Sequence, residues 1–432
     1  MNGSETVLNV YLGKRVIANL SLHQDQFIWK YTSEWITEGF PVSPHLPLAS
    51  DIPSVNINRF LRNLLPEGQA FDELIQNIRV SRNNTFALIR ALGFDISGAL
   101  VMTVPEKSLP RKGSLRLLTD DELVLRLNTR EVNGLIIWDG KPRLSVAGIQ
   151  DKINVVVNSN GQLGFGEGNL CSTHILKFER QTQSHLVINE YVTMCLAKAC
   201  GLKTANVALQ KFGNYRALLV ERFDRKLINE TEVRRRHIID GCQALNLLPE
   251  YKYERNFGSG RDVKHIRDGA SLPLIFDFAN QCQNPALIKQ KILDWVLFNV
   301  LVCNFDAHAK NISFYVSSKG IDLAPFYDLV NVKLYHDIEH DFAMALGDEF
   351  NSDFVNAYQL ANFAESCQLS RSYVAKRLKH LIDKMTIALP QELAQIKKVI
   401  NNKNFFAEYQ KVIVQRCKHL AKQCHNISKS QL

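Results

Sequence analysis

Near the start of the chain two apolar, β-prone runs, Val7–Leu12 and Val16–Leu20, flank Gly13-Lys14 and predict a hairpin. Trp29, Tyr31 and Trp35 follow, then a Pro-rich connection from Pro41 to Pro53. Phe60, Leu61, Leu64 and Leu65 recur at helical spacing before Pro66-Glu67-Gly68. A second short helix is expected with Thr85 as N-cap, Phe86 to Leu92 as its body and Gly93 as its stop. Pro105–Gly113 is basic and contains Pro and Ser, which suits a linker. Ile153–Val157 reads as a strand, Asn158–Gly161 as a turn, and Thr173–Phe178 as a further strand that carries Lys177. Leu186–Cys200 is a helical pattern stopped by Gly201, and Asn206–Phe212 with Tyr215–Val220 forms a hairpin about Gly213-Asn214. Glu221–Arg225 comes straight after as a hinge. Beyond about Asp240 the pattern is largely helical, with one hairpin, Asn311–Val316 and Ile321–Pro325, interrupting it.

Composition narrows the class. The chain has 432 residues, 46% hydrophobic and 22% charged, as in a soluble globular protein of two or three domains. No apolar run approaches the roughly 20 residues of a membrane helix. The opening Met-Asn-Gly-Ser-Glu lacks a basic region followed by an apolar one, so no secretory leader is expected. Nine cysteines without any C-x-x-C spacing argue against a zinc site or a disulfide framework and for a reducing compartment, the cytoplasm. The net charge of +9 is concentrated at one end: from Arg371 onward there are 13 Lys and Arg against 3 Asp and Glu. Such an excess is either a solvated helix face or a surface for a polyanion.

The order strand, strand with Lys, helix, hairpin, hinge, helical domain is that of a protein-kinase core, and the polar residues fit it. Asp306 is followed five residues later by Asn311, in Asp306-Ala307-His308-Ala309-Lys310-Asn311. This is the spacing of a kinase catalytic loop: the Asp accepts a hydroxyl proton while the Asn holds Mg²⁺. By itself the pattern is common in turns; the buried helix expected over Leu287–Val302 supplies a rigid platform for it. Asp328, after the hairpin in Pro325-Phe326-Tyr327-Asp328, suits a second Mg²⁺ ligand, the alternative being a turn or N-cap Asp. Lys177 stands alone in an apolar strand and needs an anion, unless it is an edge lysine facing solvent. Glu190 on the next helix is either its orienting carboxylate or a surface residue. His308 lies within the loop and in reach of phosphate, whereas the other histidines lack ligand spacing. Ser145–Lys152 has one Gly, too few to identify a phosphate loop without further support.

These blocks resemble the HipA family of serine/threonine kinase toxins. So do Phe60–Gly68, Asn84–Leu88 and Leu92–Leu100 in the N-terminal region, and Val220–Arg225 in the core. The resemblance covers nearly the whole chain. It implies an α+β, two-lobed protein-kinase-like fold with an extra N-terminal α/β subdomain (residues 1–110), an N-lobe (111–224) and a largely helical C-lobe (225–432). It implies ATP and Mg²⁺ as cofactors, with Asp306 as catalytic base and Asn311 and Asp328 as metal ligands. Lys177 would contact phosphate, and Ala147, Gly148, Ile149, Gln150, Asp151 and Lys152 would lie over the phosphates. Glu221, Arg222 and Phe223 would form the adenine hinge, with His308, Lys310 and Tyr327 completing the nucleotide site. Ser145 would be autophosphorylated, switching the kinase off. The implied partners are a helix-turn-helix antitoxin (HipB), operator DNA reached through it, and an aminoacyl-tRNA synthetase as substrate. For DNA, the expected contacts are Lys376, Arg377 and Lys379, on a helix whose apolar side is Val374, Leu378, Leu381 and Ile382. Two other classes compete: a small-molecule phosphotransferase with the same D-x-x-x-x-N loop, and a non-catalytic DNA-bound corepressor. One departure is Ala307, where the best-known members carry Gly.

Overall fold

The computed structural model describes residues 6–49, 51–106, 109, 112–144, 150–179 and 184–431. Ser145, Ala147, Gly148 and Ile149 lie outside the described residues. The chain forms two compact units, neither of them continuous in sequence. One comprises Met1–Arg180, Ala208–Pro249 and Phe314–Gly320; the other comprises Gln181–Val207, Glu250–Ser313 and Ile321–Leu432.

The two larger sheets of the first unit have four and six strands. The N-terminal hairpin is Thr6–Leu12 with Arg15–His23, extended by Gln26–Tyr31 on one edge and Leu100–Thr103 on the other. Alternation buries Ala18 and Leu20 of the second strand with their partners Tyr31 and Trp29 of the third, and Ile17 is buried on the opposite face. Helix Ser54–Arg62 packs Ile57, Phe60 and Leu61 inward, and Trp29 meets Phe60 edge-on. Helix Thr85–Leu92 is capped by Asn84, whose Oδ1 accepts from the Ala87 N–H at 3.0 Å, so the cap sits one residue before the expected Thr85.

The larger sheet has six strands in the order Val207–Phe212, Tyr215–Glu221, His174–Phe178, Lys152–Val157, Leu163–Gly168, Gly113–Leu117. Ile153, Val155, Leu176 and Phe178 fill its core with Phe165, Trp138 and Leu219. Two of these strands, Leu163–Gly168 and Gly113–Leu117, were not expected from the sequence. They are glycine-rich or charge-interrupted, and alternation is weak in both. The segment after the hinge is also a hairpin, Arg225–Asn229 with Glu232–Arg235.

The second unit is mainly helical. Helix Pro285–Val302 begins with Asn284 capping the Leu287 N–H and Pro285 at its first position. Its first half keeps Lys289, Gln290, Lys291 and Asp294 half-buried, and it buries Ile288, Ile292, Leu293 and the whole run from Trp295 to Val302. Helices Arg371–Ile396 and Lys403–Ile427 pack on it, with Leu186–Ala199 against the first and Ala357–Ser366 against both. A second hairpin, Asp341–Leu346 with Glu349–Asn351, corrects the expectation that a single hairpin interrupts the helices. Its turn at Gly347 has φ +66°, which favours glycine, and the strands are short. None of the nine cysteines forms a disulfide. Among the described residues no helix is long and apolar enough to cross a membrane.

Candidate active site

The platform helix ends at Cys303 in the left-handed conformation, and the chain turns at once into the loop that bears Asp306. Asn304 fixes that turn: its N–H donates to the Asn299 carbonyl and its Nδ2 to Asn299 Oδ1, both at 2.9 Å. Phe305 is buried edge-on against Phe342, and its carbonyl accepts from the Ala343 N–H at 2.8 Å. With its neighbours anchored inward, Asp306 is exposed. The Asn311 Nδ2 donates to the Asp306 carbonyl at 2.9 Å, and the His308 N–H donates to the same carbonyl at 2.8 Å. The five-residue spacing therefore closes a small loop in which Asn311 is tied to the backbone of Asp306. Because the amide nitrogen is committed there, Asn311 Oδ1 remains the acceptor end of the side chain.

Two residues not singled out from the sequence complete this loop. Tyr253 Oη donates to Asp306 Oδ1 at 2.7 Å, and its ring meets His308 edge-on with centroids 5.1 Å apart. The Lys252 carbonyl accepts from the Ala309 N–H at 3.1 Å. The segment is held from behind, where a Cβ on Gly269 would lie 1.8 Å from the Tyr253 carbonyl. Tyr253 lies in a turn-rich stretch between elements, with no periodicity to single it out.

Tyr327 donates to the Lys310 carbonyl at 2.6 Å and pairs with Ser313 Oγ at 2.8 Å, joining the catalytic loop to the segment of Asp328. Phe326 stacks on Trp295 and exchanges backbone hydrogen bonds with Lys203 and Ala205. Asn331, fully buried, exchanges hydrogen bonds with Asn189 at 2.8 Å. Between these anchors Asp328 has φ +59°, a left-handed conformation that Asp tolerates better than most residues. Ala307 does not share a positive φ, so the replacement of Gly there is accommodated. Lys310, His308 and Asn311 are all buried. Glu190 is also buried, on helix Leu186–Ala199, and is not a surface carboxylate.

The remaining expected residues sit in the other unit. Lys177 is buried in a central strand of the large sheet, which discards the edge-lysine alternative. Directly opposite on the next strand is Lys152, also buried. The register thus places two positive charges opposite each other across one ladder. This pairing was hidden in the sequence, where the two positions are 25 residues apart. Gln150 Nε2 donates to the Phe178 carbonyl, and Asp151 pairs with Arg130 at 3.3 Å. Glu221 ends its strand, and the Arg222 N–H donates to the Thr173 carbonyl at 2.9 Å. Phe223 meets Tyr315 edge-on, and the Tyr315 hydroxyl donates to its carbonyl at 3.1 Å. The Arg222 side chain turns the other way, into a buried ion network with Asp224.

Of the basic positions near the C-terminus, Lys376 and Lys379 are exposed, and Lys379 pairs with Asp383 along the helix. Arg377 departs from the expected solvent face. It forms a two-pronged pair with Asp294 of the platform helix, 2.8 and 2.6 Å, and is largely buried.

Residues 8–103 match the model of the HipA N-terminal domain, and residues 144–392 match that of the HipA-like C-terminal domain. The chain is 44% identical, over 95% of its own length and 95% of the relative's, to a serine/threonine-protein kinase toxin HipA of Shewanella oneidensis. The chain belongs to the HipA family. A putative kinase of Sinorhizobium fredii, Y4mE, is 30% identical over 90% of this chain and 92% of its own. Among solved structures, HipA of Shewanella oneidensis MR-1, determined with HipB and its operator DNA, superposes with a TM-score of 0.90. That match is 43% identical and covers 98% of this chain and 100% of the other. The fold is accordingly the α+β, kinase-like fold of HipA, and the enzyme class is serine/threonine protein kinase.

Proposed function

We propose that the chain transfers the γ-phosphoryl group of ATP to a serine or threonine of a protein substrate, as the toxin of a HipBA-type module. The observation that carries this reading is the closed loop in which Asn311 bonds the Asp306 carbonyl while Asp306 itself is exposed. Asp306 accepts the proton of the attacking hydroxyl through one carboxylate oxygen, the other being held by Tyr253. Lys177 and Lys152 receive the phosphates from their strands, and Gln150 and Asp151 lead into that strand pair. Glu221 and Phe223 present backbone groups to the adenine. The donor set of Asn311 and Asp328, an amide oxygen and a carboxylate, is a hard-oxygen pair of the kind that suits Mg²⁺. These two residues would hold the ion, which when bound supplies neutralisation of phosphate charge.

The family resemblance supports three finer assignments. Ser145 is the autophosphorylation site, because a phosphoserine with roughly −1.5 to −2 charges repels nucleotide from a loop that covers its phosphates. An aminoacyl-tRNA synthetase is the substrate. A helix-turn-helix antitoxin of the HipB type holds the chain on operator DNA, which the Shewanella complex makes reasonable. There Lys376 and Lys379 touch DNA phosphates, while Arg377 serves the helix packing.

The test is labelling of a cell lysate with [γ-³²P]ATP, together with tandem mass spectrometry of the purified chain incubated with Mg-ATP. Wild type should label a band identified as a synthetase and carry phosphate on Ser145. Asp306→Asn, Asn311→Ala and Asp328→Ala should each abolish labelling with the fold intact. Near-normal labelling by any of the three removes its assigned role. Phosphate found only away from Ser145 removes the switch.

A further inference from the structure

The block Gly93–Leu100 belongs to the N-terminal domain, and its place in the kinase is not explained by the chemistry above. Its backbone is gripped by the segment that follows the hinge. Arg225 donates to the carbonyls of Ile96 and Gly98, both at 2.6 Å. Asp224 Oδ2 accepts from the Gly98 N–H at 2.9 Å. Asp95 Oδ2 accepts from the Ser172 N–H at 3.0 Å, and its other oxygen lies 3.7 Å from Arg222 and 3.6 Å from Arg225. Arg222 pairs with both oxygens of Asp224 and donates to Ser172 Oγ at 2.9 Å. Arg235 donates to the Phe94 carbonyl at 2.6 Å with its guanidinium over the Phe94 ring.

Arg222, Asp224 and Arg225 are all buried, so this network is rigid and intolerant of partial removal. Its position decides what it controls. Arg222 lies between Glu221 and Phe223, its side chain buried while Glu221 is exposed and Phe223 half-buried. Whatever fixes the guanidinium therefore fixes the peptide groups on either side of it. Gly98 has φ +78°, and a Cβ there would meet His237 Nδ1 at 2.9 Å, so the block approaches more closely than other residues allow.

We infer that the N-terminal domain positions the adenine hinge: Asp95, through Arg222 and Arg225, holds Glu221 and Phe223 in register for the base. This rests on the hinge reading proposed above. Asp95 is a positioning residue and touches no reacting atom.

The experiment is competition binding against a fluorescent ATP analogue in Mg²⁺ buffer, with ATP and purine riboside triphosphate, which lacks the exocyclic amine. Wild type should prefer ATP. Asp95→Asn, which keeps an acceptor for Ser172 but removes the charge, and Ser172→Ala should each weaken ATP by about five- to tenfold. They should also narrow the preference over the amine-free analogue, a change that mere loss of stability does not produce. Arg15→Ala, which breaks the exposed pairs with Glu34 and Glu38 in the same domain, should leave both values unchanged. If wild type itself fails to distinguish the nucleotides, the hinge reading falls. If it distinguishes them and a folded Asp95→Asn or Ser172→Ala does so equally with the same ATP affinity, the hinge reading stands and the positioning role is overturned.

Discussion

His237 joins the same region and gives it a dependence on pH. Its Nε2 donates to the Val42 carbonyl at 2.8 Å, and its Nδ1 accepts from the Ala99 N–H at 3.4 Å, so the ring is held neutral. Burial pushes its pKa down to about 4, against small opposing contributions from the Val42 carbonyl and Asp224 and a reinforcing one from Arg225. In the unfolded chain the same ring titrates at about 6.5. Between these values the unfolded state binds the proton and the folded state does not. Stability is therefore full above about pH 6.5, erodes as pH falls toward about 4, and is lost no further below that. At about pH 5 the loss amounts to about 2 kcal/mol, close to a thirtyfold shift in the folding equilibrium. His237→Gln keeps an N–H for Val42 and removes the titration. Urea titrations at about pH 7 and about pH 5 should show wild type losing about 2 kcal/mol more than the variant over that interval. Equal losses in the two proteins would refute the reasoning, because every other titrating group is common to both.

Tyr253→Phe removes one charge-assisted hydrogen bond to Asp306 and should lower kcat about five- to tenfold with KM for ATP unchanged. Unchanged turnover would make the phenol incidental to catalysis. Lys376→Glu with Lys379→Glu should weaken binding of the toxin–antitoxin complex to operator DNA and reduce the slope of log affinity against log salt by about 2. Binding to antitoxin alone should persist, and an unchanged salt slope would leave these lysines as solvated surface. Arg377→Ala, by contrast, leaves the largely buried Asp294 without its guanidinium and should cost about 1–2 kcal/mol of stability in a denaturant titration.

The closed loop of Asp306 and Asn311 was legible because it is local: the two residues sit at a short fixed separation, and the apolar run before them announces the platform helix. The strand of Lys177 was legible for the same reason, a lone charge in an apolar run. What escaped was set by distant partners. Lys152 was named from the resemblance, but its opposition to Lys177 appears only in strand register; Tyr253 gains its meaning only from its reach to Asp306, and Arg377 only from Asp294 on another helix. Charge alone does not separate Arg377 from Lys376; the apolar spacing does, because Arg377 lies three residues after Val374 and four before Leu381 and so borders the buried face. The strands Gly113–Leu117 and Leu163–Gly168 were missed because glycines and charges interrupt their alternation, and pairing with neighbours stabilises them instead.

The two compact units are each assembled from three separate stretches of chain, and this bears on how the protein is made. The first unit takes its last piece from Phe314–Gly320, and the second is not complete until the final helices. A ribosome working from the N-terminus must therefore deliver three quarters of the polypeptide before either unit has all its parts. A product cut short before residue 320 contains no whole unit, so premature termination yields no miniature kinase. For a chain whose activity is toxic to its host, the folding order is itself a safeguard against fragments.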